Sequence, residues 1–225
     1  MTFDPSPIWI SLKTSVLATA LALVLGVCAA QWRERRTRSF WLVFDGFCLL
    51  PLVLPPTVVG FILLMLFGRD GPLGRLLMHF GAIVVFSWPA TVIAATVVSF
   101  PLVYVTSRGA LAQVDSSLLD AARTLGASEW RTLHRVALPL AAPGIFAGAT
   151  LAFARALGEF GATLMVAGNI PGRTQTLPVA IYFDIEAGQT RDALGAVCVV
   201  LAITSLVLAA LGLWMRSQRR ARQAG

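Results

Sequence analysis

Charge is scarce in this chain. Only 13% of its 225 residues are charged, whereas a soluble domain carries about twice that fraction. Hydrophobic residues make up 57% of the sequence and are collected in runs too long for the core of a soluble domain. The composition therefore excludes a soluble globular protein. No segment is long enough to form a separate soluble unit, so we predict a single transmembrane domain over residues 1–225.

Motifs that carry chemistry are also missing. Cys28, Cys48 and Cys198 all lie within apolar runs, which favours small buried hydrophobes over a disulfide or a metal site. His79 and His134 stand alone without ligand spacing. The sequence has neither a phosphate-binding Gly-x-x-x-x-Gly-Lys-Ser/Thr loop nor a paired catalytic set at membrane depth. We therefore expect no catalytic residue, no metal and no cofactor, and we expect that the chain does not bind ATP itself.

Long apolar runs dominate what is present. A run of about 18 such residues predicts a transmembrane helix, because a helix satisfies its own backbone hydrogen bonds in lipid. A β-barrel would need alternating segments of about ten residues, and these runs do not alternate. We predict an all-α polytopic membrane helical bundle with about five transmembrane helices. The runs cover residues 8–30, 46–68, 80–107, 136–166 and 193–215.

The arginines predict the orientation of the chain, because cytoplasmic loops are enriched in Lys and Arg. With the N-terminus outside, the inner segments 31–41, 107–138 and 216–225 hold twelve arginines and the outer loops hold four. We therefore predict a periplasmic N-terminus and a cytoplasmic C-terminus. The net charge of +7 is attributed to this topology and to contact with membrane lipid, not to nucleic acid. The inner arginines are Arg33, Arg35, Arg36, Arg38, Arg108, Arg123, Arg131, Arg135, Arg216, Arg219, Arg220 and Arg222, and the outer ones are Arg69, Arg75, Arg173 and Arg191.

Three prolines interrupt the second run. Pro51, Pro55 and Pro56 fall within six residues, a density that predicts a kink or a break in the helix. The carbonyls freed by a break need protein or water around them in a membrane. Two interpretations stay open, a structural kink packed on its neighbours and irregular backbone beside a transport pathway. Asp45 is predicted to cap the start of this second span.

The longest inner segment, residues 107–138, predicts two short helices joined at a glycine. Asp115 or Ser116 is suited to cap the first helix, and Gly126 follows where a left-handed residue would end it. Four apolar residues of the first helix fall at i, i+3, i+4 and i+7 and therefore share one face. These residues are Leu118, Ala121, Ala122 and Leu125.

The second short helix of this segment is predicted to begin at Ser128, and Pro139 to mark the start of the fourth span. The segment therefore offers a small apolar face ringed by charge. An interfacial helix lying on lipid is the alternative. Alanines bury little area and bind lipid weakly, so a protein partner fits the face better, and Trp130 is a candidate for docking it.

Two charges lie inside the fourth run. Arg155 and Glu159 are four residues apart, so on one helix they would share a face. Charges at membrane depth usually face protein or water. One interpretation is a structural ion pair, which the ready partner favours; the other places Arg155 beside a transport pathway, where it would attract an anion.

The inner segment resembles the cytoplasmic EAA loop of ABC importer permeases. Asp120 stands where that pattern has Glu, and is followed by Ala121, Ala122, Gly126 and then Leu138-Pro139. Further segments are similar to molybdate permease subunits. These segments are 50–60 (LPLVLPPTVVG), 152–163 (AFARALGEFGAT), 168–172 (GNIPG) and 175–182 (QTLPVAIY).

The resemblance implies a type I ABC importer permease fold in a bacterial inner membrane. It also implies that two copies form a pathway and that two cytoplasmic ATP-binding subunits receive the EAA-like loops. A periplasmic oxyanion-binding protein would deliver the substrate. Within this interpretation tungstate or sulfate could replace molybdate, and a stand-alone secondary transporter is a further alternative. That last alternative would leave the loop from Asp120 to Pro139 without a purpose.

Overall fold

The computed structural model describes residues 4–34 and 40–223, with the backbone alone for residues 34, 40 and 215–223. All regular secondary structure in these ranges is helical, which confirms the all-α prediction. Arg35, Arg36 and Arg38, which support the predicted orientation, lie outside the described residues, as do the side chains of the C-terminal arginines.

The described helices are α1 (Ser6–Glu34), α2 (Phe40–Val53), α3 (Pro56–Phe67), α4 (Pro72–His79), α5 (Trp88–Ala112), α6 (Ser116–Thr124), α7 (Glu129–Thr132), α8 (Leu138–Leu157), α9 (Gly161–Ala167), α10 (Leu177–Glu186) and α11 (Thr190–Gln223), and a π-helical turn (Leu133–Ala137) joins α7 to α8.

Four helices in the described part of the chain are long and apolar enough to cross a membrane, and the bent pair α2–α3 makes a fifth span if counted as one. This confirms the prediction of about five spans. The boundaries differ from the apolar runs. The third span is α5, which begins at Trp88 rather than near Phe80 and extends to Ala112.

Alanine contacts hold α1, α5 and α8 together at two successive levels in the middle of the bundle. Small side chains let these helices approach closely, as is common between membrane helices. The order of the contacts makes α1 parallel and α8 antiparallel to α5. One cluster consists of Ala18, Ala95 and Ala156, and the other of Ala22, Val103 and Ala152.

Two glycines set the closest approach of α8 to α5. A Cβ atom at Gly148 would lie 1.8 Å from Oγ1 of Thr106, and one at Gly144 would lie 2.6 Å from the Cβ of Ala110. Thr106 and Ala110 are one turn apart on α5, as the two glycines are on α8. The pair therefore forms a small-residue groove of the Gly-x-x-x-Gly type.

The second span is broken at its prolines. Helix α2 ends at Val53, α3 begins at Pro56, and the two axes are bent by 112°. Pro51 lies inside the last turn of α2, while Pro55 is the N-cap of α3 and Pro56 its first residue. Because Pro55 and Pro56 have no N–H, the carbonyls four residues earlier have no helical donor.

The fourth span differs from its prediction at both ends. It begins at Glu129, ten residues before Pro139, and continues through the π-helical turn. The ring of Pro139 would clash with the carbonyl of Arg135 in an α-helix, and the wider π turn lies at that point. At the other end α8 stops at Leu157, and α9 begins after three non-helical residues.

These two breaks meet at the middle of the bundle. A Cβ atom at Gly161, the first residue of α9, would lie 3.1 Å from Cβ of Pro56 and 3.4 Å from Cγ2 of Thr57. Helices α3 and α9 pack together against the Trp88 half of α5 through Val59, Ala162 and Ala94. We call residues 113–137 the α6 end of the bundle and residues 168–190 the α10 end; the two breaks lie between them.

Candidate functional sites: an exposed loop and an intramembrane ion pair

Helix α6 is capped at both ends by its own sequence. The carboxylate of Asp115 accepts a hydrogen bond of 2.9 Å from the Ser117 N–H, and this contact holds the pKa of the Asp115 carboxyl below its usual range. Gly126 follows the helix with φ of +81°. Ala127 N–H donates to the carbonyl of Ala122, and Gly126 N–H to that of Arg123, which is the Schellman pattern.

Arg123 joins α6 to α7. Its Nη1 lies 2.7 Å from Oδ1 of Asp120, and its Nε lies 2.8 Å from Oε1 of Glu129. These hydrogen bonds, with that to Glu129 the largest cause, raise the pKa of the Arg123 guanidinium. Asp120 is thus occupied within the loop, on the side that faces α7. All three side chains are largely exposed, so the network orients the two helices more than it stabilises the fold.

The apolar residues of the loop divide between two directions. Leu119 and Leu133 pack on the cluster of Ala30, Tyr104 and Leu111 and so anchor the loop to the bundle. Other apolar side chains of the loop face outward and form an exposed apolar surface, which is typical of a site of protein contact. Ala121 is exposed and Ala122 half-buried. The large outward residues are Leu118, Leu125 and Trp130, with exposed fractions of 48%, 88% and 68%.

Trp130 and Pro139 lie at the edge of this surface. The Trp130 ring lies 3.7 Å from the ring of His134, whose Nδ1 is 3.0 Å from the Trp130 carbonyl oxygen. Pro139 is exposed at the second position of α8. It does not start the span, as was predicted, but forms part of one helix that carries the loop surface into the bundle.

Arg155 and Glu159 form an ion pair at the α8–α9 break. Nη1 of Arg155 lies 2.7 Å from Oε2 of Glu159, and the Glu159 Oε1 accepts a 2.8 Å hydrogen bond from the Ala162 N–H. The pair does not share a helix face, as was predicted, because Glu159 lies beyond the end of α8. Its carboxylate instead caps α9, where the helix dipole favours a negative charge.

Asp45 is the polar residue that sequence reasoning misplaced. It does not cap α2 but lies within that helix, with its side chain buried against α1 and α5. Its carboxylate is 3.2 Å from Nε of Arg33 and 2.9 Å from Nη1 of Arg108, and it accepts a hydrogen bond from the Tyr104 hydroxyl. The apolar residues that flank Asp45 on both sides are the sequence signal that could have indicated such a paired site.

No group of three or more His, Cys, Asp or Glu residues arranged to hold a metal ion occurs in the described ranges. The candidate sites described above are the apolar loop surface, the Arg155–Glu159 pair and the Asp45 cluster. The chain is thus a helical membrane bundle with a charged pair at its centre and, at one end, a capped helix pair whose apolar face marks an interaction surface.

The chain belongs to the family of binding-protein-dependent transport system inner membrane components, whose pattern matches residues 22–223. The chain is 42% identical to the putative molybdenum transport system permease protein YvgM of Bacillus subtilis (strain 168), over 90% of each chain. It is also 42% identical to the molybdenum transport system permease protein ModB of Escherichia coli (strain K12), over 95% of this chain and 93% of that one.

The fold is shared with a solved transporter. The structure of inward-facing conformations of the MetNI methionine ABC transporter matches with a TM-score of 0.72 and 16% identity, over 94% of both chains. The family match and the two relatives identify the chain as an ABC importer permease, as the resemblance implied, and the fold agrees with it. Family membership implies a dimeric permease that works with an ATPase and a periplasmic binding protein.

Proposed function

We propose that this chain is the transmembrane subunit of an ATP-driven importer for molybdate. The observation that carries the proposal is its 42% identity, over nearly the whole chain, to two permeases named for molybdenum transport. Two copies form the pathway as one transmembrane domain each, over residues 1–225. The chain itself performs no catalytic step, and ATP is hydrolysed by a partner subunit.

The loop 107–138 is the proposed contact with the ATPase, one loop for each of two ATP-binding subunits. The support is the outward apolar surface of Leu118, Leu125 and Trp130. The ion pairs of Arg123 with Asp120 and with Glu129 fix the orientation of the two helices that carry it. This assignment places the α6 end in the cytoplasm and the α10 end in the periplasm, where the oxyanion-binding protein docks. The surrounding apolar side chains contact membrane lipid.

Transport is tested by reconstituting the chain in proteoliposomes with the ATPase and the periplasmic binding protein of the same transport system. We expect ATP-dependent uptake of radiolabelled molybdate, with tungstate and sulfate as competitors. Uptake of sulfate in preference to molybdate would contradict the proposed substrate. Uptake of molybdate without the ATPase would contradict the proposed mechanism and favour a secondary transporter.

The docking surface is tested separately by co-purification with the ATPase. Leu125→Gln changes a side chain that is 88% exposed, so we expect a stable permease that retains less ATPase. Ile83→Gln is the matched control, because Ile83 is 61% exposed but precedes α5 at the opposite end of the bundle. Equal ATPase recovery with both variants would remove this surface as the docking site.

A further inference from the structure

Arg155 lies near the end of α8, at the level of the central part of the membrane-spanning helix α5. Its neighbours Ala152 and Ala156 pack against Val103 and Ala95, in the central part of α5. A guanidinium at that depth is too costly to leave in lipid, and it is too far from either surface to reach it by extending its side chain. It must therefore face protein or water.

The two members of the ion pair are not equivalent. The Glu159 side chain is 1% exposed and has two partners, Arg155 and the Ala162 N–H. The Arg155 side chain is 29% exposed, and within the described residues its one recorded contact uses Nη1. The other N–H donors of the guanidinium are therefore directed to a surface that one copy of the chain leaves open.

A second group of polar atoms needs protein or water around it at the same depth. The carbonyls of Pro51 and Leu52 have lost their helical donors to Pro55 and Pro56, and Val53 beside them is 80% exposed. This break touches the start of α9 through Gly161, two residues after Glu159. Freed carbonyls and an open guanidinium are both too costly to leave in lipid, so a second copy of the chain or water must meet them in the assembled protein.

We propose that Arg155 lines the aqueous pathway at the mid-membrane breaks and binds the oxyanion in transit. This inference rests on the proposed function and names the residue that meets the substrate within it. The planar fork of a guanidinium matches two oxygens of a tetrahedral oxyanion. Glu159 competes for the same guanidinium, which keeps the contact weak enough for the ion to leave again.

A set of charge-neutral variants separates this role from a purely structural ion pair. Arg155→Gln leaves Glu159 buried without its partner, so we expect a permease of lower thermal stability. The double variant R155Q/E159Q removes both charges and keeps a side-chain oxygen for the Ala162 N–H, so we expect its stability to recover. Molybdate uptake by the double variant should still be about tenfold lower than that of the native chain, because the oxyanion loses one charged hydrogen-bonding contact of moderate strength.

A structural ion pair predicts the opposite result. If its role is structural, the double variant recovers uptake together with stability, and uptake within twofold of the native rate would overturn the proposal. Arg155→Lys adds a graded measurement, because it keeps the charge but loses the two-pronged fork. Its uptake should lie between that of the native chain and that of the double variant.

Water access is measured independently of transport. Replacement of Cys28, Cys48 and Cys198 by alanine gives a background in which R155C/E159Q carries one thiol. A charged, membrane-impermeant thiol reagent should label it much faster than Leu201→Cys, whose native side chain is 61% exposed midway along α11. Equally slow labelling of the two positions would overturn the proposal. Failure of the native chain to import molybdate would instead count against the proposed function, because the labelling needs no substrate.

Discussion

At the residue scale, the buried carboxylate of Asp45 shows what hydropathy alone conceals. Asp45 directly precedes the apolar run 46–68, and a carboxylate at that position suggested a helix cap. The partners Arg33, Tyr104 and Arg108 come from helices 12 to 63 residues away, so only the assembled bundle reveals them. The position of Asp45 in the bundle is determined by desolvation, because a buried charge without partners would cost several kcal/mol.

We expect Asp45→Asn to destabilise the permease by about 3 kcal/mol, since it leaves Arg33 and Arg108 without their shared carboxylate. Thermal unfolding of the purified protein in detergent measures the change. Asp70→Asn is the control, because Asp70 is exposed in the segment between α3 and α4. Equal stability of the two variants would show that the cluster does not hold α1, α2 and α5 together.

Gly126 is limited by backbone conformation and not by space. Its φ is +81°, and a Cβ atom there would have no neighbour within 4 Å. We expect Gly126→Val to weaken the end of α6 by about 1 kcal/mol and to lower ATPase co-purification, because a β-branched residue is strained in the left-handed region. Gly126→Asn should be tolerated, because asparagine adopts this conformation readily. An equal loss of ATPase co-purification in both variants would mean that the absence of a side chain at Gly126, and not its backbone conformation, is required.

At the scale of elements, the length and apolarity of the runs predicted the spans well. Helix breaks were predicted only where prolines remove backbone N–H donors. Pro55 and Pro56 lack backbone N–H donors, so the α2–α3 break could be predicted from the sequence. The break after Leu157 has no such mark, since glycines such as Gly158 are common in membrane helices. It is fixed by Glu159, which turns from the end of α8 to the start of α9. The start of the fourth span was missed because proline usually begins a helix, whereas here a π turn accommodates it.

The α5–α8 crossing yields a prediction at this scale. We expect Gly148→Ala to destabilise the permease by about 2 kcal/mol, because the added Cβ lies 1.8 Å from Thr106 Oγ1 and forces the helices apart. Gly158→Ala is the control, because its Cβ would meet only the Ala154 carbonyl oxygen, at 3.6 Å. Thermal unfolding compares them. Adding Thr106→Ala to the first variant should restore part of the loss, and no restoration would place the strain elsewhere.

At the scale of the whole molecule, orientation follows from the distribution of arginine, and the fold does not fix it. A helical bundle packs equally well in either direction across a membrane. The α6 end carries Arg123, Arg131 and Arg135, whereas the α10 end carries Arg173. This difference in the number of arginines between the two ends determines the orientation during membrane insertion.

We expect green fluorescent protein fused after Gly225 to fluoresce in bacterial cells, because it folds in the cytoplasm, and alkaline phosphatase fused there to be inactive. Alkaline phosphatase fused to a chain ending at Gly81, after α4, should be active because the proposed topology puts that position in the periplasm. Whole-cell fluorescence and phosphatase assays measure both. The reverse pattern would invert the topology and with it the proposed side of the ATPase.

The two breaks also have a mechanical consequence. Pro101 lies inside α5, about 9 Å along the helix from Ala95, which packs beside Ala156 near the end of α8, so it removes one backbone hydrogen bond from the central helix close to the breaks. Three of the spans are therefore weakest to bending in a narrow central layer, which we call the hinge plane, whereas α1 passes through it as an unbroken helix. A push on the α6 end would flex the bundle about this hinge plane before it disturbed the packing of α3 and α9. Because α1 is a continuous helix, it would keep the α6 end and the α10 end aligned while the other spans bend.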